Sequence, residues 1–315
     1  MNKISILVKS FAEDLNYCER LFKSFTIHNK DALILYLVVP ENDIKAFSLI
    51  ANDKNIKILS ENLFSEYLTS SEVNGIRPGY INQEIIKLAF HELEYCENYF
   101  CCDSDGYFLR DFFISDFLYK KDIPYSILIE DKELQVDPHY YNTHWKGRIR
   151  LIEKIKTSIG FDCPFTLTNH AFSVFSCKVL KDLKEAYMCE KKLTYINLME
   201  ISPYEFSWYS LWLQYSNIIP IYHREPLFKF FHYKGQHLEY MIRGVKEADI
   251  ARAYIGVNIN SNYSKDMGVI GYQSNIPKTL ANYISFKDVI YVNFYKIYSL
   301  IARAYKKFNK LLKKN

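Results

Sequence analysis

The 315-residue chain predicts an α/β fold built on a parallel central sheet covered on both faces, and three observations carry that expectation. Continuous apolar runs of strand length recur through the first half, as strands covered on both faces require. Segments with helical apolar spacing separate them, the order that builds a parallel sheet by crossovers. Glycine and proline are scarce, with 10 and 9 residues, so few long loops interrupt the elements.

The first run, ISILVK (Ile4–Lys9), is β-branched and reads as a strand. In AEDLNYCERLFKSF, Leu15, Cys18, Leu21, Phe22 and Phe25 recur at helical spacing. ALILYLVVP is a second strand, ended by Pro40, and a helical pattern continues through Ile50. NIKIL (Asn55–Leu59) supplies a third strand. The polar segment from there to Gly79 is long enough to be a functional loop. YINQEIIKLAFHEL places Ile81, Ile85, Leu88 and Ala89 on one helical face, with Gln83 and Lys87 four apart on another. NYFCC is the next strand and delivers the chain to Asp103, and PYSILIE at 124–130 reads as a further buried strand.

The second half is less regular. YYNTHWKGRIRLIEKIKTSIG reads as a helix closed by Gly160, AFSVFS as a strand and KVLKDLKEAYM as a helix. YEFSWYSLWLQYS is an aromatic-rich helix, while NIIPIYH and PLFKFFHYKG add short extended pieces. Neither a composition break nor an internal repeat divides the body. The expected organisation is one domain over 1–260 and a C-terminal helical region over 261–315.

Net charge is +4, yet residues 287–315 hold eight Lys/Arg against one acid, leaving the remaining chain slightly acidic. Basic character confined to a tail argues against a nucleic-acid-binding body, which carries its positive stripe on the folded domain. Seven cysteines form no CxxC pair, and their odd number reads as reduced thiols of a cytosolic protein. The opening MNKISILVKSF has too short an apolar run for a signal peptide. No GxSxG, HExxH or GxxxxGK[ST] string occurs, so serine hydrolase, zincin and P-loop readings lose their main support.

The stretch ENYFCCDSDGYFLRDF (Glu97–Phe112) carries Asp103 and Asp105 one residue apart. Sixteen aspartates in 315 residues generate roughly one such pair by chance, so position supplies the information. The pair leaves the carboxyl end of a predicted strand, where ligands of open α/β sheets bind. Two carboxylates there can hold a hard divalent cation bridging diphosphate oxygens; the competing reading is a solvated turn. FHYKGQH offers His232 and His237 as a further ligand, His232 preferred, and Gly235 permits close approach of backbone to phosphate. Lys87, Gln83 and Arg77 just before Pro78 read either as a phosphate-facing set or as ordinary solvated charges. Glu205, amid Phe206, Trp208, Tyr209 and Trp212, reads as a carboxylate whose pKa is raised for proton transfer beside a sugar platform, or as a first-turn acid favoured by the helix dipole. HWKGR (His144–Arg148) is a weaker candidate for acceptor or phosphate contact.

In order along the chain, SFAEDLNYCERLFKSF, VVPENDIKAF, GYINQEIIKLAF, YFCCDSDGYFLRDF and SPYEFSWYSLWL resemble the successive motifs of bacterial glycosyltransferase-like proteins of the GT-A type, a group mostly without assigned activity. The resemblance covers roughly residues 4–240 and lies in motif order rather than in any one string. It implies a Rossmann-like nucleotide-diphospho-sugar transferase fold with a mixed central sheet, and a nucleotide-sugar donor, UDP-sugar favoured. It also implies transfer to a glycan or lipid-linked glycan acceptor such as lipopolysaccharide, lipooligosaccharide or capsule. Asp103 and Asp105 become the DxD that holds Mn²⁺ or Mg²⁺, with Ser104 between them in the donor site. HYKG at 232–235 is similar to the HxxG of retaining family-eight glycosyltransferases, which assigns His232 to the metal; the Lys-Pro-Trp that follows in those enzymes is absent. Glu205 falls in the group's Glu-aromatic segment and is the candidate for acceptor orientation or base chemistry. Asp14, near the end of the first strand, reads as a nucleotide contact or as a helix N-terminal acid. The competing classes are a sugar nucleotidyltransferase, which would carry a Gly-rich loop that VKSFAEDL lacks, and a non-catalytic membrane-associated glycan-binding protein.

KDVIYVNFYKIYSLIARAYKKFNKLLKKN puts Phe294, Ile297, Ile301, Tyr305 and Phe308 on one helical face and Lys296, Arg303, Lys307, Lys310 and Lys314 on the other. Lys296 interrupts its most apolar part, which falls short of the roughly 20 residues of a membrane span. Residues 288–314 read equally as an interfacial helix on anionic lipid or as a terminal helix packed on the body. The first reading places the protein in the cytoplasm, peripheral on the inner face of the cytoplasmic membrane.

Overall fold

Each apolar run of the first half is too apolar to face water on either side, and the runs therefore join one sheet with both faces covered. The computed structural model describes residues 2–260, apart from 121, 165, 166, 170, 171 and 233, together with scattered helical positions between 286 and 305. Its strands are β1 (Ser5–Lys9), β2 (Ile34–Val39), β3 (Ile56–Ser60), β4 (Asn98–Asp103), β5 (Gly106–Phe108), β6 (Leu118–Lys120), β7 (Ile123–Pro124), β8 (Ser173–Ser176), β9 (Phe228–Phe231) and β10 (Gly256–Ile259). The main sheet runs β3-β2-β1-β4-β8, with the first four strands parallel and β8 antiparallel to β4. The expected mixed, mainly parallel sheet is thus present.

Side chains alternate across this sheet into two cores. Ile6, Val8, Phe100 and Cys102 pack with Cys18, Leu21, Phe22 and Phe25 of helix α1 (Leu15–His28) on one face. Leu7, Tyr99 and Cys101 pack with Ile81, Ile85 and Leu88 of helix α3 (Pro78–Ala89), and with Trp208, on the other; the shorter helix α2 (Ile44–Ile50) follows β2. Enclosing each such large apolar side chain contributes roughly 1.5–3 kcal/mol. Adjacent Cys101 and Cys102 therefore serve opposite faces of the sheet, and all seven cysteines are unpaired.

Local chemistry sets the helix ends. Pro78 opens α3 at a position where a missing N–H costs nothing, and the Tyr99 hydroxyl donates to the Lys87 carbonyl at 2.6 Å, tying its last turn to β4. The helix Lys146–Ile159 ends at Gly160 in the left-handed region, φ +75°, as the sequence predicts.

Several elements differ from expectation. Of PYSILIE only Pro124 lies in a strand, the two-residue β7 paired with β6, while Ser126 and Ile129 make isolated bridges to His223 and Thr168. Ile127 and Leu128 are buried, so the run is apolar because it threads the core, and Pro124 lacks the N–H of an interior strand. KVLKDLKEAYM is helical from Cys177 to Asp182 and then widens into a π-helical turn over Leu183–Cys189. PLFKFFHYKG is extended only through Phe231, and a helix starts at Lys234. A short helix, Tyr195–Ile201, goes unpredicted although Thr194 and Asn197 form a reciprocal cap. A second sheet, β5-β10-β9, sets β5, just past Asp105, against β10.

The expected 261–315 region is described only in part. Residues 261–285 and 306–315, with Lys296 and Arg303, lie outside the described residues. No helix among the described residues is long and apolar enough to cross a membrane.

Candidate active site

The chain winds outward through β1, β2 and β3, then returns to the opposite side of β1 with β4. A crevice opens at the carboxyl ends of the strands where winding reverses, and ligands of such sheets bind there. Asp103 is the last residue of β4, opposite Lys9, the last of β1. Asp103 and Asp105 thus stand at the switch point itself. Gly106 completes the turn: a Cβ there would lie 2.9 Å from the Phe172 ring, so the turn closes only over glycine.

A cleft of ≈ 290 Å³ at this point is lined by Gln83, Lys87, Asp103, Asp105, Glu205 and His232, six of the residues the sequence singles out. They arrive from α3, the β4–β5 turn, the helix Glu205–Ser216 and the residue after β9. His144 and Arg148 of HWKGR line it too.

Lys87 organises the acids. Its ammonium lies 2.7 Å from Glu205 Oε1, 2.9 Å from Asp103 Oδ1 and 3.5 Å from Glu84 Oε2. It is 2% exposed, not the solvated side chain that its helical face suggests, because three acidic side chains replace water around it. Burial alone would push the ammonium down, but Asp103, Glu205 and Glu84 hold it well above the usual lysine range. The charge expected to meet phosphate is instead spent on these acids.

Burial and the charge of Glu205 raise Glu84 well above the usual carboxylate range, against the pull of Lys87. At Glu205, burial is outweighed by the Lys87 charge and by hydrogen bonds from Glu84 and Lys87, so its pKa is lowered. Glu84 thus carries the proton of the pair and Glu205 the charge. The raised carboxyl expected at Glu205 resides on Glu84, because Lys87 is nearer Glu205. Sequence reasoning missed Glu84, although an acid three residues before a lysine on one helix is a neighbour of it.

Asp105 is fixed from both ends. Arg20 Nη2 donates to its carbonyl at 2.8 Å, and the Asn258 amide donates to its carboxylate. Asn258 sits on β10, whose pairing with β5 brings it across 153 residues. Nothing local in the sequence announces it. Asp14 accepts from Ser104 Oγ at 3.1 Å, and burial pushes its carboxyl up to about 6 despite that bond. Among the described residues that line the cleft, Asp14, Ser104 and Arg77 do not appear. Arg77 is exposed at the N-cap of α3, its charge acting on Asp14, and Gly235 lies in the first turn of the helix Lys234–Ile242.

His232 is half-buried, its ring against Phe230 and Tyr140 at 5.7 and 5.1 Å. His237 is 2% exposed against Phe231, and burial lowers its pKa to about 4, the behaviour of a core histidine. Among the described residues no three His, Cys, Asp or Glu side chains stand together as a metal-binding group. His232 therefore shares the cleft with the Asp pair without closing a shell around it. The donor set fits an open site: two hard carboxylates, with Asp103 37% exposed at its side chain, leave the remaining positions to water and substrate oxygens.

No curated protein matches the chain. Among solved structures, the crystal structure of mouse xyloside xylosyltransferase 1 in its apo form is similar, with 10% sequence identity, a TM-score of 0.47, and coverage of 82% of this chain and 99% of that one. Residues 1–239, which carry Lys87, Asp103, Asp105, Glu205 and His232 and stop short of Asn258, match a family described as a family of unknown function, DUF6492; the chain belongs to that family.

Proposed function

We propose that the protein is a metal-dependent glycosyltransferase of GT-A type, moving a sugar from a nucleotide-sugar donor, UDP-sugar favoured, to a glycan acceptor of the cell surface. The observation that carries this reading is the convergence of Asp103, Asp105, Glu205 and His232 on one cleft at the switch point of a parallel sheet. Asp103 and Asp105 are the residues to hold Mn²⁺ or Mg²⁺, and His232 is the third donor the cleft offers. The cation, when bound, would offset charge developing on the departing diphosphate. Lys87 pairs with Asp103 and favours the charged form of Glu205. Glu205 orients the acceptor hydroxyl by accepting its hydrogen bond.

A donor-hydrolysis screen over nucleotide sugars with Mn²⁺ tests the reading, with Asp103→Ala and Asp105→Asn as controls. Metal-dependent turnover lost in both variants is expected. Absence of metal-dependent turnover with every donor, or full activity in both variants, overturns it.

Membrane contact through the C-terminal segment belongs to the same proposal. Its described apolar side chains Phe294, Ile297, Ile301 and Tyr305 are 58–70% exposed, and the segment is strongly basic in sequence. Flotation with anionic liposomes is expected to be lost on deleting 288–315. Unchanged flotation removes the membrane role.

A further inference from the structure

The cleft contains a buried cation that the donor-site reading does not use. Arg148 is 7% exposed, lines the cleft, and donates from Nη2 to the Asn169 carbonyl at 2.6 Å. Its Nε is buried with no hydrogen-bond partner, and no carboxylate among the described residues lies within ion-pair distance of it. The guanidinium is held by rings, 5.8 Å from the Trp145 centroid and 5.5 Å from that of Tyr204. Its charge opposes the upward push of burial at the Tyr140 and Tyr204 hydroxyls, and it also hydrogen-bonds Tyr140, where the charge of buried Asp131 acts in the other direction. Glu84 and Glu205 act on Tyr204 as well, so one ring lies within reach of both the cation and the acid pair.

A buried charge without a counter-charge is costly, and an anion entering the cleft would supply the one that Arg148 lacks. Arginine presents a planar fork whose N–H groups match the paired oxygens of a carboxylate or phosphate. The contrast with Lys87 is direct: both cations are buried in one cleft, yet Lys87 has three acids within 3.5 Å, whereas Arg148 has none at ion-pair distance among the described residues, and buried Asp131 meets it only through Tyr140.

We propose that Arg148 is the recognition point for an anionic group on the sugar substrate, a carboxylate or phosphate received by its guanidinium. The inference rests on the glycosyltransferase reading for the word sugar, and on the cleft alone for the anion. The substrate class is therefore acidic saccharides, uronic acids or phosphorylated sugars.

Calorimetric titration of the full-length protein with Mn²⁺ separates the sources of the anion and needs no turnover. The probes are UDP, methyl glucuronoside, glucose 6-phosphate and the neutral methyl glucoside, on wild type, Arg148→Lys and Arg148→Gln. Wild type is expected to bind an acidic sugar at least roughly tenfold tighter than the glucoside, the weight of one charge-assisted hydrogen bond. Arg148→Gln should abolish that preference and Arg148→Lys should keep part of it, with UDP affinity unchanged. Loss of UDP affinity alone in Arg148→Gln would assign the anion to the donor diphosphate and overturn the acidic-sugar assignment. No change for any probe overturns the anion site. Melting temperature guards against simple misfolding: Arg148→Met is expected to leave it level or raise it, since the variant removes an uncompensated buried charge, whereas a sharp fall marks a structural arginine. Failure to turn over any nucleotide sugar, with Arg148-dependent binding of acidic sugars intact, removes the enzyme reading and leaves this one standing.

Discussion

Lys87 and Glu205 are 118 residues apart in sequence and 2.7 Å apart in the fold, both nearly excluded from water. The contact joins α3 to the helix Glu205–Ser216 at the mouth of the cleft, and Asp103 shares the same ammonium. Removing the cation would leave two carboxylates and a protonated acid facing one another without compensation. Lys87→Met is therefore expected to lower stability by about 3–5 kcal/mol in urea denaturation. A loss below about 1 kcal/mol would show that Lys87 does not compensate the buried acids around it.

The Glu84–Glu205 pair should leave a pH signature. Glu84 is raised, so the folded state holds its proton more tightly than the unfolded chain; its contribution is complete below the ordinary glutamate value of 4.5 and is lost as pH rises through the folded value. Glu205 is lowered, so its contribution is present above 4.5 and lost as pH falls below it. Glu84→Gln keeps a donor toward Glu205 but cannot ionise. The stability of wild type relative to this variant should decline as pH rises above 4.5, measured by urea midpoints. A flat difference contradicts the assignment of the proton to Glu84.

Asp14 gives an independent window. Its carboxyl is raised from 3.8 to about 6, so its contribution is complete below 3.8 and disappears as pH climbs to about 6. Buried His237, lowered from 6.5 to about 4, has the opposite slope over an overlapping range, so the raw pH profile of the protein hides both. Asp14→Asn isolates the first: wild type should lose stability relative to it between pH 4 and 6, by an amount on the order of 2 kcal/mol. An unchanged difference across that range shows that Asp14 is not desolvated.

Much of this was legible in the sequence because buried parallel strands declare themselves as continuous apolar runs. Ile4–Lys9, the run ended by Pro40 and NYFCC gave three strands of the sheet, and thereby the position of Asp103 at a strand end. The carboxylate pair, Glu205 and His232 were reachable because residue type and segment order pointed to them. Glu84 was hidden by the even charge of a helix face that looks solvated and is not. Asn258 was hidden more deeply, since the four-residue β10 carries no periodic signal and its pairing with β5 closes a loop of about 150 residues. The apolar run at 124–130 misled for the converse reason: burial without regular pairing has the same sequence pattern as a strand.

That hidden strand is sensitive to one methyl group. A Cβ on Gly256 would fall 2.3 Å from the Phe228 ring and 2.6 Å from the Tyr107 carbonyl, and the carbonyl belongs to the paired backbone of β5. Gly256→Ala must therefore push β10 from β5, carrying Asn258 away from Asp105. It should cost at least about 2 kcal/mol in urea denaturation. Near-wild-type stability would mean that the β5–β10 pairing can loosen freely.

Asp105 is fixed before any ligand arrives, and the proposed metal site should be sensitive to that fixing. Ligand bound only by the folded state raises stability by RT ln(1 + [L]/Kd), about 2.7 kcal/mol at a hundredfold excess over Kd. UDP with Mn²⁺ should therefore raise the melting temperature of wild type well beyond either alone. Asp103→Ala should abolish the increment, because one of two carboxylate donors is gone. Asn258→Leu removes the amide that holds Asp105 while leaving both carboxylates in place, so it should reduce the increment without eliminating it. Equal increments in wild type and Asp103→Ala would exclude the Asp pair from metal binding. An unaltered increment in Asn258→Leu would show that Asp105 is placed by Arg20 and the turn alone.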